Sequence, residues 1–335
     1  MFLSRIHQGV RGPRRTSMPS AAASLVAVCV LSGWIWLASP PGESIALAQG
    51  WSRPSPVGKH TPAQGDVESA TRRSDPRVAD TSEEARRGAI QSIPFEKIDP
   101  EARRKLAGVL SSTTLFRRMP VHVAPCDPDL YSFLVRHPDV LVGIWEELGV
   151  SEFRMAQTGP GVFRLADGTT ATATTEFVYR DHETHIAYCE GEYRGPLLRT
   201  PIRGRSILIL KTGHVQEADG NCYITSRLDT FVHVEDATVD FLTRTFQPLV
   251  GKVADHNFLQ TTAFVGSLSR TTQTNHQGVQ RLAARLHRVD PKVRREFAAL
   301  AGEIGQKATR QASHEMPLGT PVAIRDERDE ETVTR

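Results

Sequence analysis

Four cysteines in 335 residues, none of them spaced as Cys-x-x-Cys, leave no pattern for a structural zinc site, whose ligands come in close pairs. There is no Gly-rich phosphate loop and no Gly-x-Ser-x-Gly elbow, so the common signatures of nucleotide binding and of serine hydrolases are missing. Surplus charge is missing as well. The formal net charge is +3, and the four Arg and one Glu within residues 1–48 account for all of it. The remainder is neutral and lacks the basic footprint of a nucleic-acid binder. Neither a metal nor a cofactor is expected.

What is present begins with an export pattern. Arg5, Arg11, Arg14 and Arg15 precede an apolar run from Ala21 to Ala38 and a small-residue site at Ala46-Leu47-Ala48. That succession reads as a signal peptide cleaved after Ala48. The alternative is an uncleaved inner-membrane anchor formed by residues 21–38, almost long enough to span a bilayer; it is the only membrane contact expected. Periplasm or cell envelope is the expected location. Cys29 belongs to this segment, which leaves Cys126, Cys189 and Cys222. Cys189 and Cys222 fall on expected strands of one sheet and are a candidate pair in an oxidising compartment. The odd count leaves at least one thiol free or paired with another chain.

From Gln49 the chain is rich in Pro, Ser, Gly, Arg and Asp and too poor in large apolar residues to offset its ordering entropy, so it reads as a spacer. Ile98 to Leu115 has helical spacing, with Pro100 placed where its missing donor does no harm. Phe116 to Ala124 reads as a strand with Met119, Val121 and Val123 on one face and His122 on the other. Two short helices follow, the first starting at Asp127-Pro128 and the second at Pro138 and ending near Gly149.

After Ser151 the apolar period drops to two. The spacing predicts strands over Glu152–Gln157, Gly161–Leu165, Thr170–Arg180, Thr184–Arg194, Gly204–Val215 and Asn221–Val234. The short turn clusters between them favour antiparallel neighbours. The stretch from Asp236 to Leu268 then returns to a helical stripe through Val239, Leu242, Phe246, Leu249, Val253, Phe264 and Leu268. A kink or break is expected at Pro248. Gly278 to Ile304 predicts further helical pieces around Pro291.

Strand, two short helices, six antiparallel strands and one long helix: over Phe116 to Gln273 that order resembles the START-like superfamily. The superfamily includes lipid-transfer domains, birch-allergen-type proteins, polyketide cyclases and coenzyme-Q-binding proteins. HPDVLVGIWEELG, YCEGEYRGP and PLVGKVADHNF are also similar to segments of exported planctomycete-type proteins with no established activity. The resemblance implies an α+β helix-grip fold, a curved antiparallel β-sheet wrapped around a long C-terminal α-helix, with an apolar ligand between them. The layout expected is a signal peptide at 1–48, a disordered linker at 49–95, the helix-grip domain at 96–275, a helical extension at 276–305 and a disordered tail at 306–335.

Candidate ligand-binding residues follow from chemistry on those elements. His256 and Asn257 lie near the apolar stripe of the long helix. Tyr223 and Arg227 share one strand face, and Tyr188 and Glu190 share another, with Glu192 beyond them; which face is inward depends on register, since a one-residue slip reverses it. Arg227 suits an anionic head group, and His256 with Glu190 forms a candidate acid and base for a cyclase or dehydratase. His182 and His185 have His-x-x-His spacing but straddle a turn. The preferred reading is a non-enzymatic carrier of a lipid-like or hydrophobic small molecule; the alternatives are that enzyme and a structural envelope module without ligand.

Overall fold

The computed structural model describes residues 75–194, 201–217, 220–235 and 247–315. Its spine is one antiparallel sheet in the order β1 (Leu115–Arg118), β8 (Cys222–Val234), β7 (Ile202–Gln216), β6 (Thr184–Tyr193), β5 (Ala171–Arg180), β4 (Val162–Ala166) and β3 (Arg154–Gly159), with β2 (His122–Pro125) also paired to β8. The six expected strands after Ser151 all form, as β3 to β8, their ends shifted by no more than a residue or two. Turn chemistry joins them. Asp167 Oδ1 accepts from the backbone N–H groups of Thr169, Thr170 and Ala171, while Gly168 takes the φ of +83° that this corner requires.

The strand expected over Phe116 to Ala124 is broken. Pro120 offers no N–H, and the chain forms β1 (Leu115–Arg118) and β2 (His122–Pro125), both antiparallel to β8. The outer edge of β1 is covered by an isolated bridge in which Asp80 and Arg118 exchange backbone hydrogen bonds of 2.9 and 2.8 Å.

Register sorts the side chains into two faces. On one face Ile186, Tyr188, Ile207, Ile209 and Phe231 form a buried cluster. On the other Ala187, Cys189, Leu208, Leu210 and Leu228 form a second. The first, outer face is covered by helices α1 (Glu83–Gln91) and α2 (Pro100–Ser111), joined through a 3-10 turn at Phe95–Lys97. All of α1 stands where a disordered linker is expected. Ser82 Oγ caps it by accepting from Ala85 N–H at 3.1 Å, Glu83 and Glu84 oppose the helix dipole in its first turn, and Ala85, Ala89 and Ile93 are buried. Small alanines seal that contact, so the segment carries little hydropathic signal.

The inner face packs against α3 (Pro128–Arg136), α4 (Pro138–Glu147) and the long α5 (Gln247–Thr274). Asp127 caps α3 through Asp129 and Leu130 N–H, and α4 closes at Gly149 with a φ of +68°. The expected helical residues 236–246 lie outside the described residues, and with them the turn before Pro248 in which the kink or break is expected; Pro248 is the second described residue of α5. Gly266 lets α5 approach the sheet closely, since a Cβ at that position would sit 3.2 Å from Pro125 O. Helices α6 (His276–Arg285) and α7 (Pro291–Glu315) close the far side, with Phe297 stacked on Phe133 at 5.7 Å. Helix α7 runs past residue 305, where a disordered tail is expected. This is an α+β helix-grip fold with an added helical layer on the outer face of its sheet.

Candidate functional site

Between α5 and the inner face lies a cavity of about 50 Å³. Helix α3 contributes Tyr131, Leu134 and Val135, and α4 contributes Leu141. Strands β7 and β8 add Leu210, Ser226 and Leu228, and α5 adds Phe258, Thr261, Thr262 and Val265. The α5 positions recur at steps of three and four, so they form one stripe of the helix. Their hydroxyls are turned back on the helix: Thr261 Oγ1 donates to Asn257 O at 2.7 Å and Thr262 Oγ1 to Phe258 O at 2.9 Å. The threonines therefore spend their hydrogens locally.

One polar pair stands against this apolar wall. Tyr131 Oη and Ser226 Oγ are 2.8 Å apart. Whichever of them donates, the other keeps its own hydrogen, so the pair has one O–H left to offer. Burial pushes the Tyr131 phenol well above its usual pKa, which keeps it neutral. No charged side chain lines the cavity. Beside it stands His122, the cross-strand neighbour of Ser226, with its ring 5.2 Å from that of Phe258. Its Nε2 is buried without a hydrogen bond, and burial lowers its pKa against the opposing field of Asp255.

None of the six residues singled out from sequence lines this cavity. His256 is exposed on α5, and Asn257, although buried, is not part of the cavity wall; its backbone carbonyl accepts from Thr261 Oγ1. Tyr223 and Arg227 alternate with Ile224, Ser226 and Leu228 along β8 and so share the outer face with Phe231. Arg227 lies 3.7 Å from the Asp229 carboxylate. Tyr188 is on the outer face, where its hydroxyl donates to Glu190 Oε2 at 3.2 Å and Lys105 Nζ stands 5.9 Å from its ring. Burial pushes its pKa up to about 12. The spacing correctly unites Tyr188 with Glu190, but the sheet separates both from α5. The His256 and Glu190 pair is not assembled.

Asp255, next to His256, is held by a bidentate contact from Arg117 of β1, Nε to Oδ1 at 2.8 Å and Nη2 to Oδ2. Cys189 and Cys222 do not meet: β7 lies between their strands, and Cys189 stands opposite Ser206 while Cys222 stands opposite Gln216. His182 sits in the β5–β6 turn and His185 points inward from β6. Among the described residues no group of three or more His, Cys, Asp or Glu side chains is placed to hold a metal, and no helix is long and apolar enough to cross a membrane.

Fold and cavity together define a helix-grip protein with an apolar, uncharged pocket under its long helix. No family model matches the chain and no curated relative does. Among solved structures it is similar to the protein in the crystal structure of Ara h 8.0201, at 18% identity over 45% of this chain and 99% of that one, with a TM-score of 0.27. Strand order and helix placement define the fold, not that superposition.

Proposed function

We propose that the chain binds a compact, uncharged hydrophobic molecule between α5 and the inner face of the sheet. The observation that carries this reading is the cavity wall: apolar side chains from five elements, one spare O–H at Tyr131 and Ser226, and no charge. Apolar burial supplies the affinity and the single donor orients a ligand carbonyl or ether oxygen. Size limits the ligand. An engineered cavity of roughly 150 Å³ takes benzene, so a pocket of about 50 Å³ admits an aromatic ring, and still more a longer, lipid-like molecule, only as α5 moves outward. Release in the cell envelope belongs to the same reading and draws on the Arg-rich start, apolar run and Ala46-Leu47-Ala48 site of the sequence.

Thermal shift measurements on the folded chain test it, using a series of small neutral aromatic ketones beside carboxylates of matched size. The ketones are expected to raise the melting temperature and the carboxylates to leave it unchanged. Leu228→Trp, which fills the pocket, is expected to abolish the response. A ketone shift of equal size in that variant would place the ligand elsewhere and sink the reading, as would a series in which no ketone binds.

A further inference from the structure

Two segments that meet at one end of the sheet each carry a cysteine at the meeting point. β2 runs antiparallel to β8 with Pro125 opposite Tyr223. The next rung is closed by Cys126 N–H donating to Cys222 O at 3.0 Å, so Cys126 and Cys222 stand directly opposite one another. Opposed residues of an antiparallel pair project to the same side, and a rung carrying the inter-strand hydrogen bonds holds its Cα atoms about 5.5 Å apart. A disulfide requires Cα atoms about 4.4 to 6.8 Å apart. The backbone is already in place.

The two thiols differ in access. Cys126 is buried against Ser269 of α5, and burial pushes its pKa up to about 12. Cys222 is half-buried at the start of its strand. The third thiol, Cys189, is wholly buried in β6 and stands on a rung with Ser206 and Val232, far along the strands from Cys222.

We propose that Cys126 and Cys222 form a cross-strand disulfide when the chain meets an oxidised thiol couple such as oxidised glutathione. The accessible Cys222 loses its proton to solvent and its thiolate attacks one glutathione sulfur. The glutathione disulfide bond breaks, and one glutathione leaves as a thiolate that takes up a proton. Cys126 then gives its proton to solvent and attacks the Cys222 sulfur, expelling the second glutathione as a thiolate, which is protonated in turn. Two protein thiols are oxidised and one oxidised glutathione is reduced to two thiols. The new bond ties β8 to the residue just ahead of Asp127, the cap of α3, whose Tyr131, Leu134 and Val135 wall the cavity. Oxidation fixes that wall to the sheet without touching the cavity lining.

The test uses the full folded chain, incubated with oxidised glutathione, denatured, alkylated and digested with trypsin without reduction. Peptides 119–136 and 212–227, each holding one of the two cysteines, are expected to appear joined, with Cys189 alkylated and the intact mass lower by two hydrogens. A Cys189→Ala variant should give the same linked pair. The proposal is overturned if oxidation stops at a glutathione adduct on Cys222, if the link involves Cys189, or if it joins two chains. None of these outcomes depends on whether the cavity takes a ligand.

Discussion

On its outer face the sheet pairs most of the charge it holds, although Arg205 Nε and Arg227 Nε lack a hydrogen bond there. Asp229 is fully buried there and receives Arg118 Nε at 2.7 Å and Nη2 at 3.1 Å, Lys105 meets Glu176 at 2.8 Å, and Phe231 lies against Phe116 at 4.9 Å. The inner side leaves groups unmatched. His122 Nε2, His185 Nδ1 and both carboxylate oxygens of Asp139 are buried without a hydrogen bond, and side chains leave a cavity of about 50 Å³ beneath α5. Volume that side chains leave unfilled costs stability, so a face selected only to hold the fold together would not carry it. The contrast separates a platform from a site: α1 and α2 brace the sheet from outside, and α3 and α5 enclose a space on the other side.

The largest expected effect comes from opening a hole in the platform. Phe231→Ala removes a fully buried ring, and the cost is about 4 kcal/mol, read as a lower urea midpoint. An equal truncation on the other side, Phe258→Ala, enlarges a cavity that already exists and removes a half-buried ring, so its cost is smaller. Equal losses at the two positions would erase the distinction between the faces.

Sequence pattern reached the fold more readily than the site. Element ends are marked by Asp127-Pro128, Pro138, Gly149 and the Asp-Gly corners, whose chemistry acts locally and is read locally. Which strand face turns inward is not local. In β8 Ser226 and Leu228 face the cavity while Tyr223 and Arg227 face away, and one residue of register separates the two answers. The apolar run Ile207 to Leu210 in β7 is the signal that both faces are covered, and it points to the layer that α1 and α2 form. On α5 the cavity stripe includes Thr261 and Thr262, which a search for apolar spacing passes over because their hydroxyls are satisfied only once the helix exists. His122, Tyr131 and Ser226 come from three separate elements, so their meeting has no sequence signature.

A second prediction concerns the unmatched charges. Burial raises the Asp139 carboxyl to about 6; the Asp139 and Val140 N–H groups at the start of α4 face it and partly offset the rise without meeting hydrogen-bond geometry, and Asp290 adds repulsion. Folding therefore favours its protonated form, and stability falls as pH rises from about 4 to about 6, by about 3 kcal/mol at roughly 1.4 kcal/mol per unit. Burial, with Arg180 and Arg136 nearby and Asp181 opposing, lowers His185 to about 4. Its contribution has the opposite sign, and stability is lost as pH falls from about 6.5 to about 4. The two slopes oppose one another, so Asp139 masks part of the rise in stability with pH that His185 gives, together with His122 and His137, whose pKa values burial also lowers. Asp139→Asn is expected to raise stability at pH 8 by about 2 kcal/mol and to uncover the His185 slope, so that urea midpoints climb between pH 4.5 and 6.5. A variant whose midpoints climb no more steeply than those of the native chain would mean that Asp139 has a partner in solution.

The smallest effect is the most specific to the cavity. Ser226→Ala leaves the buried Tyr131 hydroxyl without its partner at 2.8 Å, at a cost of about 1 kcal/mol. Tyr131→Phe does the same to Ser226. Removing both together deletes two polar groups that need each other, so the double variant should lose clearly less than the sum of the singles. Ligand binding separates this cycle from simple packing: the spare O–H disappears in the double variant, so a neutral ketone should bind it more weakly although stability is largely restored. If the double variant regains stability and keeps the native affinity, the hydroxyl pair is a satisfied part of the wall, and the orientation of any ligand must come from His122 instead.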